Sequence, residues 1–334
     1  MASRSDDDPR IGDISEGAVL RAILARTAPA VHAVLGPGDD AAVIAAPSGS
    51  IVASADTLVE GPDFRIAWSS GYDLGWKSAA VNLSDIAAMG AVPTALLVSL
   101  AVPADIRLSF IEAMADGFRE CCAQLAPGCS VVGGDLTVSE RLMIAVTALG
   151  DLGGRSAVTR AGARDGDVVA LAGELGMAAA GLGLLFARFR DGAAAVPVDR
   201  STLDPVQQGA LDRQLRPVPP LALGPIAADA GATAMMDVSD GLALDASRLA
   251  DASGVTIALS GAALDELAFG GDRGRALGGG EDHGLLATFP AGAVPAGFER
   301  IGTVTARADA PVLVDGRPVA EAGWDPYRDW DHAR

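Results

Sequence analysis

Apolar positions fall into helical stripes and short runs that alternate along the chain. From Ile11 to Ala25, the residues Ile14, Val19, Leu20, Ile23 and Leu24 recur at helical spacing. Runs of strand character follow: AAVIAA at 41–46, IVASA at 51–55, TALLVSLAV at 94–102, SVVGG at 130–134 and LMIAVTALG at 142–150. Two helical patterns separate them, Asp73 to Met89 and Ile106 to Gln124. A second series holds VVALAG (168–173), a helix from Met177 to Phe189 and a polar excursion from Arg190 to Leu203. It continues with TAMMDV (233–238), a helix from Leu242 to Ser253, VTIAL (255–259), a Gly-rich stretch over 270–284 and GLLATF (284–289).

Strands and helices mixed in this order predict an α/β or α+β fold. Between the two series, GDLGGRSAVTRAGARDGD (150–167) replaces apolar residues by Gly, Arg and Asp, and the boundary is expected there. The division is a polar tail over 1–10, a first domain over 11–152 and a second over 153–334. Two domains suit 334 residues at roughly 100–200 residues each.

Composition narrows the function classes. Half the residues are hydrophobic and only 4% aromatic, so Ala, Val, Leu and Ile must build the cores. There are 33 Asp against 10 Glu, 24 Arg against a single lysine, Lys77, and a net charge of −18. Such a surface repels nucleic acid and anionic membrane, and no basic cluster offsets it. The longest uncharged stretch, Ile86 to Ala104, is broken by Gly90, Pro93 and Pro103. It reads as a helix end, a turn and a buried strand, not as a membrane span. The opening MASRSDDDPR lacks the apolar core of a signal peptide, and a cytoplasmic location is expected. Cys121, Cys122 and Cys129 lack CxxC spacing and, with three histidines in the chain, read as buried thiols, not a zinc site. Lys77-Ser78 follows Trp76 instead of Gly, so no phosphate-binding loop is present and Lys77 reads as a helix-surface residue.

The informative feature is where the acids fall. Five segments end an apolar run in small residues and then an acid: Gly36-Pro37-Gly38-Asp39-Asp40, Ser54-Ala55-Asp56, Gly133-Gly134-Asp135, Asp237-Val238-Ser239-Asp240-Gly241 and Gly278-Gly279-Gly280-Glu281-Asp282. Asp85 is a sixth, on the buried stripe of the helix with Leu74, Ser78, Val81 and Met89. Any one of these acids could be an ordinary turn or helix cap. Six together imply converging carboxylates that need cations, and one lysine cannot supply them. Oxygen-only sites of this kind suit Mg²⁺ carrying phosphate groups, with glycines letting backbone amides approach.

At these residues the chain resembles the thiamine-monophosphate kinase family, within the aminoimidazole-ribonucleotide-synthetase-like superfamily. The matching segments are GPGDDAAVI (36–44), SADTLVEGPDF (54–64), KSAAVNLSDIAAMGAVP (77–93), VVGGDLT (131–137), TRAGARDGD (159–167), LRPVPPLALG (215–224), DVSDGLALD (237–245), GGED (279–282) and GWDPY (323–327). The resemblance implies an aminoimidazole-ribonucleotide-synthetase-like fold, with N-terminal strands pairing across a homodimer and a C-terminal α/β domain closing over the site. It implies transfer of the ATP γ-phosphoryl to thiamine monophosphate. The Mg²⁺ ligands carried over are Asp39, Asp40, Ser54, Ala55, Asp56, Asp85, Asp135, Asp237 and Asp240, of which Asp85, Asp135 and Asp240 are expected to be catalytic. ATP would be held by Gly134, Asp135, Arg160 and Ser239, and thiamine monophosphate by Asp63, Glu281 and Trp324. Asp63 stands where the family commonly has His, Ala55 where it has Thr, and His283-Gly284-Leu285 where it has Tyr-Glu-Leu. Another ATP-using branch, hydrogenase-maturation or selenophosphate-synthetase-like, is the alternative.

Overall fold

The computed structural model describes residues 8–27, 31–35, 43–319 and 323. Its first half runs α1 (Glu16–Leu24), β1 (Ala33–Leu35), β2 (Val43–Ile44), β3 (Ile51–Val59), α2 (Gly71–Ala88), β4 (Val92–Val102), α3 (Leu108–Leu125), β5 (Ser130–Val138) and β6 (Met143–Asp151). Among the described residues β3, β6, β4 and β5 form a sheet in that order, and β1 pairs with β2. All its neighbours are antiparallel except β4 and β5. A parallel pair needs a crossover, and α3 supplies it.

The second half runs β7 (Val168–Ala172), α4 (Met177–Arg188), β8 (Arg190–Asp191), β9 (Ala194–Ala195), α5 (Pro205–Leu215), α6 (Leu223–Asp229), β10 (Ala234–Val238) and α7 (Leu242–Ser253). It ends with β11 (Val255–Leu259), α8 (Gly261–Leu267), α9 (Arg273–Gly278), β12 (Gly284–Phe289), β13 (Glu299–Ala306), β14 (Val312–Val314) and β15 (Arg317–Pro318). Its larger sheet has the order β10-β12-β7-β13-β11-β14-β15. The sheet is mostly antiparallel; β11 and β14 run parallel.

Helix α2 joins the halves. It packs on α3, β3, β4 and β6 on one side and on β10, α5 and α6 on the other. A capping box between Ser70 and Asp73 starts it. All its residues except Tyr72 and Asp85 are buried. Glycines permit this crowding: a Cβ on Gly71 or Gly75 would lie 2.0 Å from the carbonyl oxygen of Phe110 or Met114, and one on Gly224 2.1 Å from that of Ala87. Two indole N–H groups add ties across the halves, Trp76 to the Pro217 carbonyl at 2.8 Å and Trp68 to that of Phe189 at 2.9 Å.

Several sequence expectations need correction. Lys77 is not on the helix surface; it is 5% exposed, because both faces of α2 are covered. The Gly-rich stretch over 270–284 contains a helix, α9, whose N-cap Asp272 accepts from Arg275 N–H. Helix α5, absent from the sequence expectations, starts at Asp204, Pro205 and Gln207, an N-cap, an N1 proline and a capping-box glutamine. The three cysteines are buried and unbridged, as expected.

Candidate active site

Four of the expected ligands, Ser54, Asp56, Asp85 and Asp237, gather where β3 and α2 of the first half meet β10 and the start of β12 of the second. On β3, the Ser54 hydroxyl donates to Asp85 Oδ2 on α2 at 2.6 Å. Two residues on, the Asp56 N–H donates to Asn82 Oδ1 at 3.0 Å, and Asn82 is anchored through its amide to the Ser78 carbonyl at 2.9 Å. The β10 end presents Asp237, which is buried and meets His283 Nδ1 at 3.1 Å through Oδ2. His283, where the family commonly has Tyr, is buried against the cluster itself.

These carboxylates feel one another. Burial and then the charge of Asp237 push Asp85 up to about 6, against the pull of the Ser54 hydroxyl. Desolvation and the charge of Asp237 also raise Asp56, although its side chain keeps a solvent-exposed face. Burial opposes protonation of His283, but the hydrogen bond and charge of Asp237 outweigh it and raise its pKa.

Behind the cluster, a fully buried carboxylate shapes the turn after β10. Asp245 Oδ2 accepts the N–H groups of Ser239 at 3.1 Å and Asp240 at 3.0 Å. Its Oδ1 takes Arg248 at 2.7 Å, and the same guanidinium nitrogen holds Asp240 Oδ2 at 2.6 Å. Burial pushes Asp245 up to about 6 despite these donors. Within the DVSDGLALD motif, Asp245 thus serves the turn, Asp240 shares its arginine, and Asp237 meets the site cluster.

The ligand chemistry fits a hard divalent cation: hydroxyl and carboxylate oxygens only, with like charges crowded enough to raise Asp85. Among the described residues no three His, Cys, Asp or Glu side chains converge on one metal position. Asp39 and Asp40 lie outside the described residues, as does Trp324.

Other expected residues sit apart. Gly134 and Asp135 line an apolar cavity of about 810 Å³ between the first sheet and helices α1 and α3, with Leu97, Ser99 and Thr147. Gly134 has a packing reason of its own, since a Cβ there would lie 1.8 Å from the Val98 carbonyl oxygen. Arg160 is exposed, and its carbonyl accepts from Ser253 at 2.8 Å. Ala55 is exposed on β3.

A second cavity of about 300 Å³ lies between the halves. Asp63, Arg65, Lys77, Gln214, Ser239 and Glu281 line it, with Trp68 and Phe186. The Arg65 guanidinium stacks over Trp68 at 4.7 Å and Phe186 at 4.9 Å. Asp63 accepts the Val59 N–H at 2.7 Å, while burial and the charge of Glu281 raise its pKa. Lys77 pairs with the Glu281 carboxylate. Gly323, the first residue of the GWD segment, reaches the same cavity. Sequence reasoning found Asp63 and Glu281; it missed Lys77, Arg65 and Asp245, whose burial or partners no local pattern announces.

Residues 38–152 match the family described as AIR synthase related protein, N-terminal domain. The chain is 42% identical to thiamine-monophosphate kinase of Mycobacterium tuberculosis over 344 aligned positions, covering 99% of this chain and 97% of that protein. It is similar to the crystal structure of thiamine-monophosphate kinase from Stenotrophomonas maltophilia K279a, with a TM-score of 0.76 at 34% identity, over 92% of this chain and 98% of the other. The solved complex of AaThiL with AMPPCP and TMP aligns at TM-score 0.72 and 30% identity, over 95% and 98% of the two chains.

Proposed function

The chain belongs to the thiamine-monophosphate kinase family, and from that premise we propose that it transfers the γ-phosphoryl of ATP to thiamine monophosphate, giving thiamine diphosphate and ADP. The observation that carries the reading is a crowded carboxylate cluster, Asp56, Asp85 and Asp237, spanning the two halves beside a cavity lined by Asp63, Glu281 and aromatic rings.

Phosphoryl transfer asks for alignment and charge neutralisation more than covalent chemistry. The acceptor oxygen belongs to a phosphate, largely ionised near neutral pH, so no strong general base is needed. Ser54, Asp56, Asp85, Asp135, Asp237 and Asp240, with Asp39, Asp40 and the backbone at Ala55, would hold Mg²⁺. When bound, Mg²⁺ offsets the repulsion between the triphosphate and the acceptor phosphate. The protein's share is placement. Asn82 fixes the β3 backbone at Asp56, Ser54 orients Asp85, and Asp245 sets the Ser239–Asp240 turn. Gly134, Asp135, Arg160 and Ser239 would contact ATP, and the cavity holding Asp63 and Glu281 would take the thiamine moiety with Trp324.

The reading extends to organisation. We assign residues 11–152 and 153–334 to two domains after a tail over 1–10, and the reaction to the cytoplasm; among the described residues no helix is long and apolar enough to cross a membrane. A homodimer formed through the first sheet is supported by that sheet's uncovered face, where Ile51, Leu97 and Met143 are exposed.

The test is a Mg²⁺-dependent assay with ATP and either thiamine monophosphate or free thiamine, following ADP and thiamine diphosphate. Product from the monophosphate alone is expected. ADP release without thiamine diphosphate overturns the acceptor assignment, and no ATP turnover with either overturns the reaction.

A further inference from the structure

The one lysine of the chain occupies a position that its neighbours make chemically specific. Lys77 is 5% exposed, and a desolvated ammonium needs a counter-charge. Its Nζ pairs with Glu281 Oε2 and donates to the Gln214 carbonyl at 3.3 Å. Three elements meet in those contacts: α2 of the first half, α5, and the loop between α9 and β12.

Glu281 is held from every side. Its φ of 74° lies in the left-handed region that non-glycine residues seldom adopt. Its N–H donates to the Ser239 carbonyl at 2.8 Å. The next residue, Asp282, accepts the Gly176 N–H at 2.5 Å and the Ala178 N–H at 2.7 Å, locking the loop to the start of α4. Strain of this kind persists where surroundings enforce it, and it collects at ligand sites. Burial would raise the Glu281 carboxyl, but the Lys77 charge and hydrogen bond, together with His283 and Gln214, outweigh it and keep it below the usual range.

The side chain of Glu281 remains 37% exposed, and it lines the cavity between the halves together with Asp63. Facing the cavity alone, an ammonium would repel a cationic ring. Set behind a carboxylate, it is neutralised and fixes that carboxylate in place.

We propose that Lys77 is the positioning residue of this cavity: it fixes Glu281, so that Glu281 and Asp63 present a preset anionic wall to the cationic thiazolium of the acceptor. The inference deepens the reading above, in which this cavity takes the thiamine moiety. Lys77 acts through Glu281 and not on the acceptor itself.

The experiment is steady-state kinetics on the full-length chain and its Lys77→Met, Lys77→Arg, Glu281→Gln and Lys77→Met/Glu281→Gln variants. Lys77→Met and Glu281→Gln should each raise KM for thiamine monophosphate by ~10-fold or more, with KM for ATP within ~2-fold of the parent. Lys77→Arg should recover most of the loss. The double variant should be no more than ~2-fold worse than Glu281→Gln, because the two groups act as one unit. Unchanged KM in Lys77→Met overturns the proposal. So do independent, multiplying losses in the double variant, which would put Lys77 on the acceptor directly. Should Lys77→Met fail to fold, an unchanged KM in Glu281→Gln overturns it. Should the parent make no thiamine diphosphate, the proposed reaction falls, and calorimetric binding of free thiamine still decides: equal affinity in parent and Lys77→Met or Glu281→Gln overturns the anionic wall.

Discussion

Two neighbouring parts of the molecule treat negative charge in opposite ways. In the cavity between the halves, Glu281 is paired with a buried lysine and stays ionised. At the seam of β3, α2 and β10, Asp56 and Asp85 feel the charge of Asp237; Asp85 accepts from the Ser54 hydroxyl, and Asp237 meets the His283 imidazole. Burial, and then the charge of Asp237, raises both Asp56 and Asp85. The first region carries its own cation and is built to hold one geometry. The second leaves charge unneutralised, which is the condition in which an added divalent ion gains most.

That contrast can be broken in four ways, the largest first. Asp85→Asn should lower kcat by on the order of 10³ while circular dichroism and melting temperature stay at or above the parent's, since it removes a buried like-charge contact. A variant with near-parent kcat would remove Asp85 from the machinery.

Asp245→Ala should cost about 1–3 kcal/mol in urea unfolding, because it orphans the Ser239 and Asp240 N–H groups and one face of Arg248. Activity should fall with it, since Asp240 loses its setting. A stability change near zero would mean the turn holds without its buried acceptor.

The pH dependence of the Mg²⁺-free protein sharpens the same point. Asp85 is raised from 3.8 to about 6, so its contribution to stability is full below the unfolded value and is lost as pH rises through about 6. Melting temperature should therefore fall between pH 4 and 6.5, less steeply in Asp85→Asn; Asp245, raised into the same range, contributes the remainder. A slope identical in parent and variant would contradict the assignment. Added Mg²⁺ should lift the parent most at the upper end of that range.

The smallest effect belongs to an exposed pair. Arg26 meets Asp116 at 2.6 Å and Glu112 at 3.3 Å, but its side chain is 40% exposed. Arg26→Gln should change unfolding free energy by less than about 1 kcal/mol and leave kcat unaltered. A larger loss would mean that solvent screening is not what separates surface pairs from the Lys77 pair.

Much of the fold was readable along the chain. The 255–259 and 284–289 runs and the 242–253 helix coincide with β11, β12 and α7, since each is a buried run or stripe with clear ends. Helices α5, α6 and α8 and strand β13 passed unnoticed. Their apolar content is modest or Ala-rich; α5 and α8 start at Asp204 and Ser260, small polar residues that also make turns, and α6 has no side-chain cap. Of the acids that meet, Asp237 closes an apolar run near the end of β10 and Asp85 breaks an apolar helical stripe, patterns that are legible along the chain, whereas Asp56 lies within β3.

The sequence by itself determined which residue types are available: an oxygen-rich set of acids, one lysine and glycines spaced for close approach. It also determined the local elements, since hydrophobic periodicity and capping act over a few residues. Only the tertiary structure decided which acids meet. Asp85 and Asp237 are brought together by the packing of α2 on β10, and Lys77 passes from an apparent surface residue to a buried counter-ion because both sides of α2 are covered. Charge, burial and pairing are properties of neighbours in space, and long-range packing alone creates those neighbours.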